Sequence, residues 1–401
     1  MNNDSQQQNQ KKRFMLVGGG SGGHLTPLVA VAESIKALDK SSTVIFVGQK
    51  GENLHDIVDR QEIDESARIS AGKFRRYHGE SLWQHLTDVK TIALNIRDLF
   101  KFLLGILQAI VLLSRKKPDA IFLKGGFVSV PVGYAARLLR IPYITHDSDA
   151  IPGLANKMTA KHARYNTTAL PIDLYPYDKH KARHVGIPLN PAFQPIDAHA
   201  LARAKKALGY GPTSKVVFSV GGGLGAQKLN IAMVDVASTL LKKYQELFII
   251  HITGKKLFNE TARLYEKHLD ATLQKRVRII DFTTTLHEFS AAADVVVTRA
   301  GATNIAEFAA QAKPCIIVPN PVLTGGQQLH NARVITDADA AVIVDEKNIG
   351  TLPSKVEELL SEHESSRSAL GARLHDLSHE GAADRLAELL FDVTKENTGI
   401  F

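Results

Sequence analysis

This 401-residue sequence predicts an α/β protein of two doubly wound parallel-sheet domains, on three observations. Apolar runs of strand length alternate with helical patterns along most of the chain, the order that builds parallel βαβ units. One arrangement, strand then glycine turn then helix, occurs twice, at Phe14 to Leu38 and at Lys215 to Leu241. A proline-rich stretch, Ile187-Pro188-Leu189-Asn190-Pro191 with Pro195, lies between the two and marks a linker. The length exceeds one ordinary core, which also favours two domains.

Composition narrows the class. An apolar fraction of 44% is that of an ordinary globular protein. Cys315 is the single cysteine and lies in the apolar run Cys315-Ile316-Ile317-Val318, so it reads as a buried structural thiol in a reducing compartment. Met1 to Gln10 is polar and rich in Asn and Gln, with no apolar core of a signal peptide, so residues 1–12 read as a disordered tail. Residues 1–190 carry 26 Lys and Arg against 17 Asp and Glu, the remainder 23 against 24. The basic excess therefore lies in the first half, which points to an anionic partner such as phospholipid, a diphosphate or nucleic acid.

Taken in order, Phe14 to Val17 reads as a buried strand, and Gly18-Gly19-Gly20-Ser21-Gly22-Gly23-His24 as its turn. Thr26 then reads as the N-cap and Pro27 as the first residue of an amphipathic helix. Such a turn brings backbone N–H groups and a helix N-terminus to an anion. Thr43 to Gly48 is a second strand, followed by Gln49-Lys50. A dinucleotide site would have an acidic residue near there, and a P-loop would have Gly-Lys-Ser/Thr, so both are disfavoured.

Lys73, Arg75, Arg76, Tyr77, His78 and Trp83 mix basic and aromatic side chains ahead of a helix from about Ile92 to Leu113. Asn95, Asp98, Lys101 and Gln108 mark a narrow polar stripe on it, and its wide apolar face reads as core-facing in preference to lying on a membrane. The strand Ala120 to Leu123 enters Lys124-Gly125-Gly126-Phe127, with a helix from about Pro131 to Leu139. A further strand, Ile141 to Thr145, ends at His146-Asp147-Ser148-Asp149, before a helix at Gly153 to Lys157.

The scheme restarts with the strand Lys215 to Val220, the turn Gly221-Gly222-Gly223-Leu224-Gly225-Ala226 and a helix from Leu229 to Leu241. Strands at Phe248 to Ile252, Val277 to Asp281, Asp294 to Thr298 and Cys315 to Val318 follow, the last being the final clear strand. The rest is helical and charged.

Ligands of such sheets collect beyond the carboxyl ends of the strands, which is where candidate chemistry clusters. His24 could take a proton from an attacking hydroxyl near neutral pH or simply cap a helix. Glu307, about a turn into a helix, could accept from both hydroxyls of a ribose or be solvated on an exposed face. Gln327 and Gln328 could read sugar hydroxyls or be surface residues. No metal-ligand set stands out; His146, Asp147 and Asp149 cluster without further ligands.

In order, Gly19-Gly20-Ser21-Gly22-Gly23-His24, Gly125-Gly126-Phe127-Val128-Ser129, Gly153-Leu154-Ala155-Asn156-Lys157, Gly222-Gly223-Leu224-Gly225-Ala226, the Ala300 to Glu307 segment and Gln327-Gln328 resemble the MurG-type glycosyltransferases, across about residues 13 to 335. The resemblance implies a GT-B fold, with an acceptor and membrane-associated domain at 13–190, a UDP-sugar domain at 191–375, and a helical tail at 376–401 that can pack back on the first domain. It implies inverting transfer of N-acetylglucosamine from a UDP-sugar donor to a lipid-linked muramyl pentapeptide. No metal, cofactor or nucleic acid would take part, and the enzyme would sit peripherally on the cytoplasmic face of the cell membrane.

Carried over by position, His24 and Asp147 are catalytic candidates. Gly19, Gly20, Ser21, Gly22, Gly23, Gly125, Gly126, Phe127 and Asp149 would meet the acceptor. Gly222, Gly223, Gly225, Ala226, Thr283, Gly301, Ala302, Thr303, Glu307, Gln327 and Gln328 would meet the donor. The chain departs from the family pattern at Phe127 (usually Tyr), at Asp147 and Asp149 (usually Glu and Asn), at Gly223-Leu224 (usually Ser-Gln) and at Ile187 to Asn190 (usually Asn-Pro-x-Arg). A lipid glycosyltransferase with another acceptor, such as diacylglycerol, and a catalytically weak nucleotide-sugar-binding homologue are the competing readings.

Overall fold

A computed structural model describes residues 11–19, 22–51, 60–72, 89–322 and 324–396, and of residues 22–25, 89–93, 324 and 396 only the backbone. The chain divides into two compact units. The first contains a seven-stranded sheet in the order β3-β2-β1-β4-β5-β6-β7, every neighbouring pair parallel. Its elements are β1 (Arg13–Val17), α1 (Gly22–Leu38), β2 (Thr43–Gln49), β3 (Glu65–Ile69), α2 (Val89–Lys116), β4 (Ala120–Leu123), α3 (Ser129–Leu138), β5 (Tyr143–Asp147), α4 (Leu154–Thr159), β6 (Tyr165–Thr168) and β7 (Ala182–His184). Alternate residues of the central strands feed two cores. Phe14, Leu16, Phe46 and Phe122 pack with α1, whereas Met15, Val17, Ile45 and Leu123 pack with α2 and α3.

The second unit, from Pro191 to Glu380, repeats the plan on a six-stranded parallel sheet in the order β10-β9-β8-β11-β12-β13. It runs α5 (Ala198–Ala207), β8 (Lys215–Val220), α6 (Gln227–Lys243), β9 (Leu247–Ile252), α7 (Phe258–His268), α8 (Ala271–Gln274), β10 (Val277–Ile280) and α9 (Leu286–Ala291). There follow β11 (Val295–Thr298), α10 (Ala302–Ala310), β12 (Cys315–Ile317), α11 (Gln327–Asp337), β13 (Val342–Ile343), α12 (Leu352–Ser361) and α13 (Glu364–Asp376). Cys315 is buried with its Sγ 3.3 Å from the Lys313 carbonyl. The last helix, α14 (Ala382–Glu396), belongs to the first unit. Leu386, Ala387, Leu390 and Val393 enter the core of β1 and α1, and Phe391 meets Phe14 edge-on at 4.7 Å.

Several expectations need correction. Helix α1 starts at Gly22, so His24 is on its first turn, and Pro27 lies inside the helix, not at its first position. Pro27 offers no N–H to the Gly23 carbonyl, and glycines at 22 and 23 leave that turn room to yield to its ring. His146 and Asp147 are the last residues of β5, not part of a loop beyond it. Strands β3, β6 and β7 carry no apolar run of the kind read as a strand, and β13, within the short apolar run Ala340 to Val344, follows Cys315 to Ile317, so the latter is not the last strand.

The largest correction concerns α2. Its inward face carries Asp98, Gly105, Ala109 and Leu113, and Gln108 Oε1 accepts the Ser70 N–H at 2.8 Å. A Cβ on Gly105 would lie 2.2 Å from the Ser70 carbonyl oxygen, so the helix sits directly on the segment after β3. Part of the polar stripe thus faces in, and the apolar side reaches solvent: Ile96, Leu99, Phe100, Leu103, Leu104, Leu107 and Val111 are exposed, Phe100 by 68%. The apolar face is therefore divided: Ala109 and Leu113, with Ile110 and Leu112 beside them, face the core as read, and the seven exposed residues do not. The basic and aromatic stretch Lys73, Arg75, Arg76, Tyr77, His78 and Trp83 lies outside the described residues, as does Met1 to Gln10. Among the described residues no helix is long and apolar enough to cross a membrane.

Candidate functional site

In the first unit the candidate residues gather at the carboxyl ends of β1, β4 and β5. The Gly18 N–H reaches the Val47 carbonyl at 3.2 Å, carrying the chain past the end of β1. Gly126, at φ +79, packs on Gly19, whose carbonyl oxygen would lie 2.9 Å from any Cβ there. Only a glycine can hold that conformation and that approach without strain. The Ser129 hydroxyl donates to the Gly125 carbonyl at 2.6 Å and fixes the turn, and Phe127 is half-buried beside it. Gly19, Gly125 and Gly126 are therefore brought together. Gly20 and Ser21, and the side chain of His24, lie outside the described residues; Gly22 and Gly23 open α1.

Asp147 is buried, and both its oxygens have partners: Oδ1 accepts the Gly153 N–H at 3.0 Å and Oδ2 the Tyr177 hydroxyl. Burial raises its pKa against the hydrogen bonds that lower it, from Tyr177 foremost. The half-buried Asp149 follows, its carbonyl accepting the Tyr175 hydroxyl at 2.8 Å. His146 points the other way along the strand. Thr167 gives its proton to the Thr145 carbonyl at 2.7 Å, so its oxygen can only accept from His146 Nδ1–H at 3.0 Å, which leaves Nε2 as the bare nitrogen. Desolvation holds this imidazole neutral, well below the usual histidine range. Lys124 and Tyr177 were not singled out by sequence. A lysine at the end of an apolar strand reads as its solvated terminus, and Tyr177 is 30 residues from its partner.

In the second unit the turn after β8 is built on two close approaches. Gly222 and Gly225 have φ of +88 and +78, and a Cβ on Gly225 would fall 2.1 Å from the Thr253 carbonyl oxygen. Ala226 precedes α6, and Gly301 precedes α10; neither residue caps its helix with a side chain, and the positive end of each helix dipole lies at this turn. Asn304 joins these parts. Its Oδ1 lies 3.7 Å from the Cβ position of Gly222 and 3.9 Å from that of Gly301, and its amide donates to Glu307 Oε2 at 3.2 Å.

Glu307 is 7% exposed, which removes the solvated reading of its carboxylate; burial pushes its pKa up to about 8. Ala302 and Thr303 form the first turn of α10, and Gly223 is exposed on the turn. Gln328 Oε1 accepts the Asn320 N–H at 2.8 Å, with Gln327 adjacent on α11, and Asn331 on that helix donates to the Ala300 carbonyl at 2.9 Å. Thr283 stands apart, past the edge strand β10, where its hydroxyl oxygen accepts the Thr285 N–H at 3.0 Å. Arg299, which sequence reading passed over, is buried at the end of β11, 2.7 Å from Glu346, and Lys228 of α6 meets the same carboxylate at 2.7 Å.

Profiles described as glycosyltransferase family 28 N-terminal domain and C-terminal domain match residues 14–166 and 216–386. A relative in Clostridium novyi (strain NT) is 32% identical over 351 residues, 85% of this chain and 88% of that protein. Another in Staphylococcus carnosus (strain TM300) is 32% identical over 367 residues, 90% of this chain and 92% of that one. Both are named UDP-N-acetylglucosamine–N-acetylmuramyl-(pentapeptide) pyrophosphoryl-undecaprenol N-acetylglucosamine transferase. Among solved structures, Acinetobacter baumannii MurG superposes with a TM-score of 0.68 at 21% identity, over 95% of this chain and 99% of that one. A co-structure of S. aureus MnaA with UDP gives 0.63 at 12% identity, over 97% and 98%. At these identities the structural likeness concerns the fold.

Proposed function

The chain belongs to glycosyltransferase family 28 and has the GT-B type of fold, and we propose that it transfers N-acetylglucosamine from UDP-N-acetylglucosamine to an N-acetylmuramyl-pentapeptide carried on pyrophosphoryl-undecaprenol. The observation that carries this is the grouping of Glu307, Asn304, Gly222 and Gly301 under two helix starts. A buried carboxyl beside two helix N-termini suits a nucleoside diphosphate, the carboxyl for ribose hydroxyls and the helix ends for phosphates. Gln327 and Gln328 are the proposed readers of the donor sugar, with Gly223, Gly225, Ala226, Ala302 and Thr303 around the diphosphate and Thr283 at the periphery.

In the reaction, an acceptor hydroxyl oxygen bonds to the anomeric carbon as the bond from that carbon to UDP breaks. The electron pair leaves with UDP, and the configuration inverts. His24 takes the hydroxyl proton, and the N–H groups at the starts of α6 and α10 stabilise the departing diphosphate. Asp147 acts by orientation, since Gly153 and Tyr177 already engage both of its oxygens. The acceptor diphosphate is assigned to the turns at Gly19 to Gly23 and Gly125 to Phe127.

The exposed face of α2 is proposed to rest on the cytoplasmic membrane surface, where the acceptor lipid is embedded. Seven apolar side chains at spacings of one to four residues, with Arg97, Lys101, Arg115 and Lys117 exposed on the same helix and just past its end, suit an anionic lipid surface.

Transfer assays crossing several UDP-sugars with the lipid-linked muramyl pentapeptide and with diacylglycerol test the assignment. Product is expected only with UDP-N-acetylglucosamine and the former acceptor. His24→Ala should cut transfer by roughly 10²–10⁴-fold while UDP still raises the melting temperature. No melting shift at saturating UDP would refute the donor site, and full activity of His24→Ala would refute its role as base.

A further inference from the structure

Two carboxylates stand two residues apart where β5 ends, Asp147 buried and Asp149 half-buried. Left unbalanced, they would repel a phosphate group brought to the neighbouring turns. Among the described residues, the fold sets the Lys124 ammonium beside them. Lys124 follows the last residue of β4 and precedes Gly125; it is 2% exposed, and its Nζ donates to Ser148 Oγ at 2.8 Å, the residue between the two carboxylates.

An ammonium so deeply buried persists as a charge only where opposite charge supports it. Burial draws its pKa down to about 8, against the pull of Asp149 and then Asp147, so it remains largely protonated at neutral pH. The surrounding backbone is pinned independently of it. Tyr175 holds the Asp149 carbonyl at 2.8 Å, Asn156 holds the His146 carbonyl at 2.7 Å, and Asp147 holds the Gly153 N–H. Charge balance is therefore the contribution that Lys124 makes and these bonds do not.

We infer that Lys124 is a positioning residue for the transfer reaction: anchored on Ser148 between Asp147 and Asp149, it offsets their charge so that the β4 and β5 ends accept the diphosphate of a lipid-linked acceptor. This rests on the acceptor assignment above. Buried as it is, Lys124 acts through the Ser148–Asp149 segment and not by touching the acceptor.

A double-mutant cycle of Lys124→Met and Asp149→Asn tests it, using UDP-N-acetylglucosamine and N-acetylmuramyl-pentapeptide pyrophosphoryl-undecaprenol in detergent. Lys124→Met should raise the acceptor KM at least about tenfold with the donor KM within about threefold of the parent. Asp149→Asn alone should lower the acceptor KM, and added to Lys124→Met it should recover most of the loss. A merely structural lysine would lower the melting temperature without this split and without recovery.

An acceptor KM for Lys124→Met within about threefold of the parent, or a double variant no better than Lys124→Met, overturns the inference. Should Lys124→Met fail to fold, judged by loss of the first unit's cooperative melting transition, Asp149→Asn decides alone: a lower acceptor KM supports the role, an equal or higher one overturns it. Absence of transfer by the parent chain is a separate result and refutes the acceptor assignment itself.

Discussion

The Asn304 amide donates to Glu307 Oε2 at 3.2 Å, one turn apart on α10, and the carboxyl it reaches is buried. That single hydrogen bond lowers the pKa by less than desolvation raises it, so the group titrates near 8 in the folded chain against 4.5 in its ordinary state. A folded pKa above the unfolded one means that the stability is fully present below about pH 4.5 and is lost as pH rises toward 8.

Glu307→Gln removes the ionisation. Relative to the parent it should become progressively more stable from pH 5 to pH 8, by up to roughly 3–5 kcal/mol at the upper end, while UDP affinity falls. Denaturant unfolding at several pH values, with UDP titrations, checks both. A stability difference independent of pH would mean that the carboxyl is ionised in the folded chain.

Gly225→Ala should be costly for a reason that lies beneath the turn. The Thr253 carbonyl that a new Cβ would strike is held by Asn230 Nδ2 at 3.0 Å. Since that nitrogen donates, Asn230 Oδ1 accepts from His251 Nε2–H at 3.2 Å, and His251 Nδ1 accepts the Tyr265 hydroxyl at 2.9 Å. A buried network with every member satisfied does not give way cheaply. With the positive φ added, the expected loss is at least about 2 kcal/mol, with weaker UDP binding. Thermal unfolding and calorimetric titration of UDP measure the two effects.

Leu103→Glu with Leu107→Glu should reduce co-sedimentation with anionic phospholipid vesicles by at least about tenfold. The melting temperature should change little, because both side chains are already half or more exposed. Unchanged vesicle binding would remove α2 from the membrane-facing role.

Much of this architecture was legible in the residues. Strands β1, β4 and β8 are runs of apolar side chains because both faces of a central parallel strand are buried, and each meets a glycine turn whose purpose is chemical. Three outer strands of the first sheet carry no such signal. Glu65 to Ile69 alternates because β3 is an edge, while Tyr165 to Thr168 and Ala182 to His184 are polar segments paired by register. The orientation of α2 was not legible either: periodicity gives the angle between an apolar and a polar side but not which one a neighbour covers.

At the site, the glycines and Glu307 stood out by sequence. The pairing of Tyr177 with Asp147, the role of Lys124 and the Asn230–His251–Tyr265 chain depend on contacts across strands and helices, which no local pattern encodes.

The return of α14 to the first sheet has a consequence for synthesis. A ribosome releases residues 13–190 long before Leu386, Leu390 and Phe391, whose side chains complete the core around Phe14 and Leu16. The second unit, whose sheet and helices all come from Pro191 to Glu380, can close as soon as it emerges, whereas the first waits with an open hydrophobic face. Folding order is thus reversed relative to the usual progression from the N-terminus, and a chain ending at residue 380 would have a finished second half and an unfinished first.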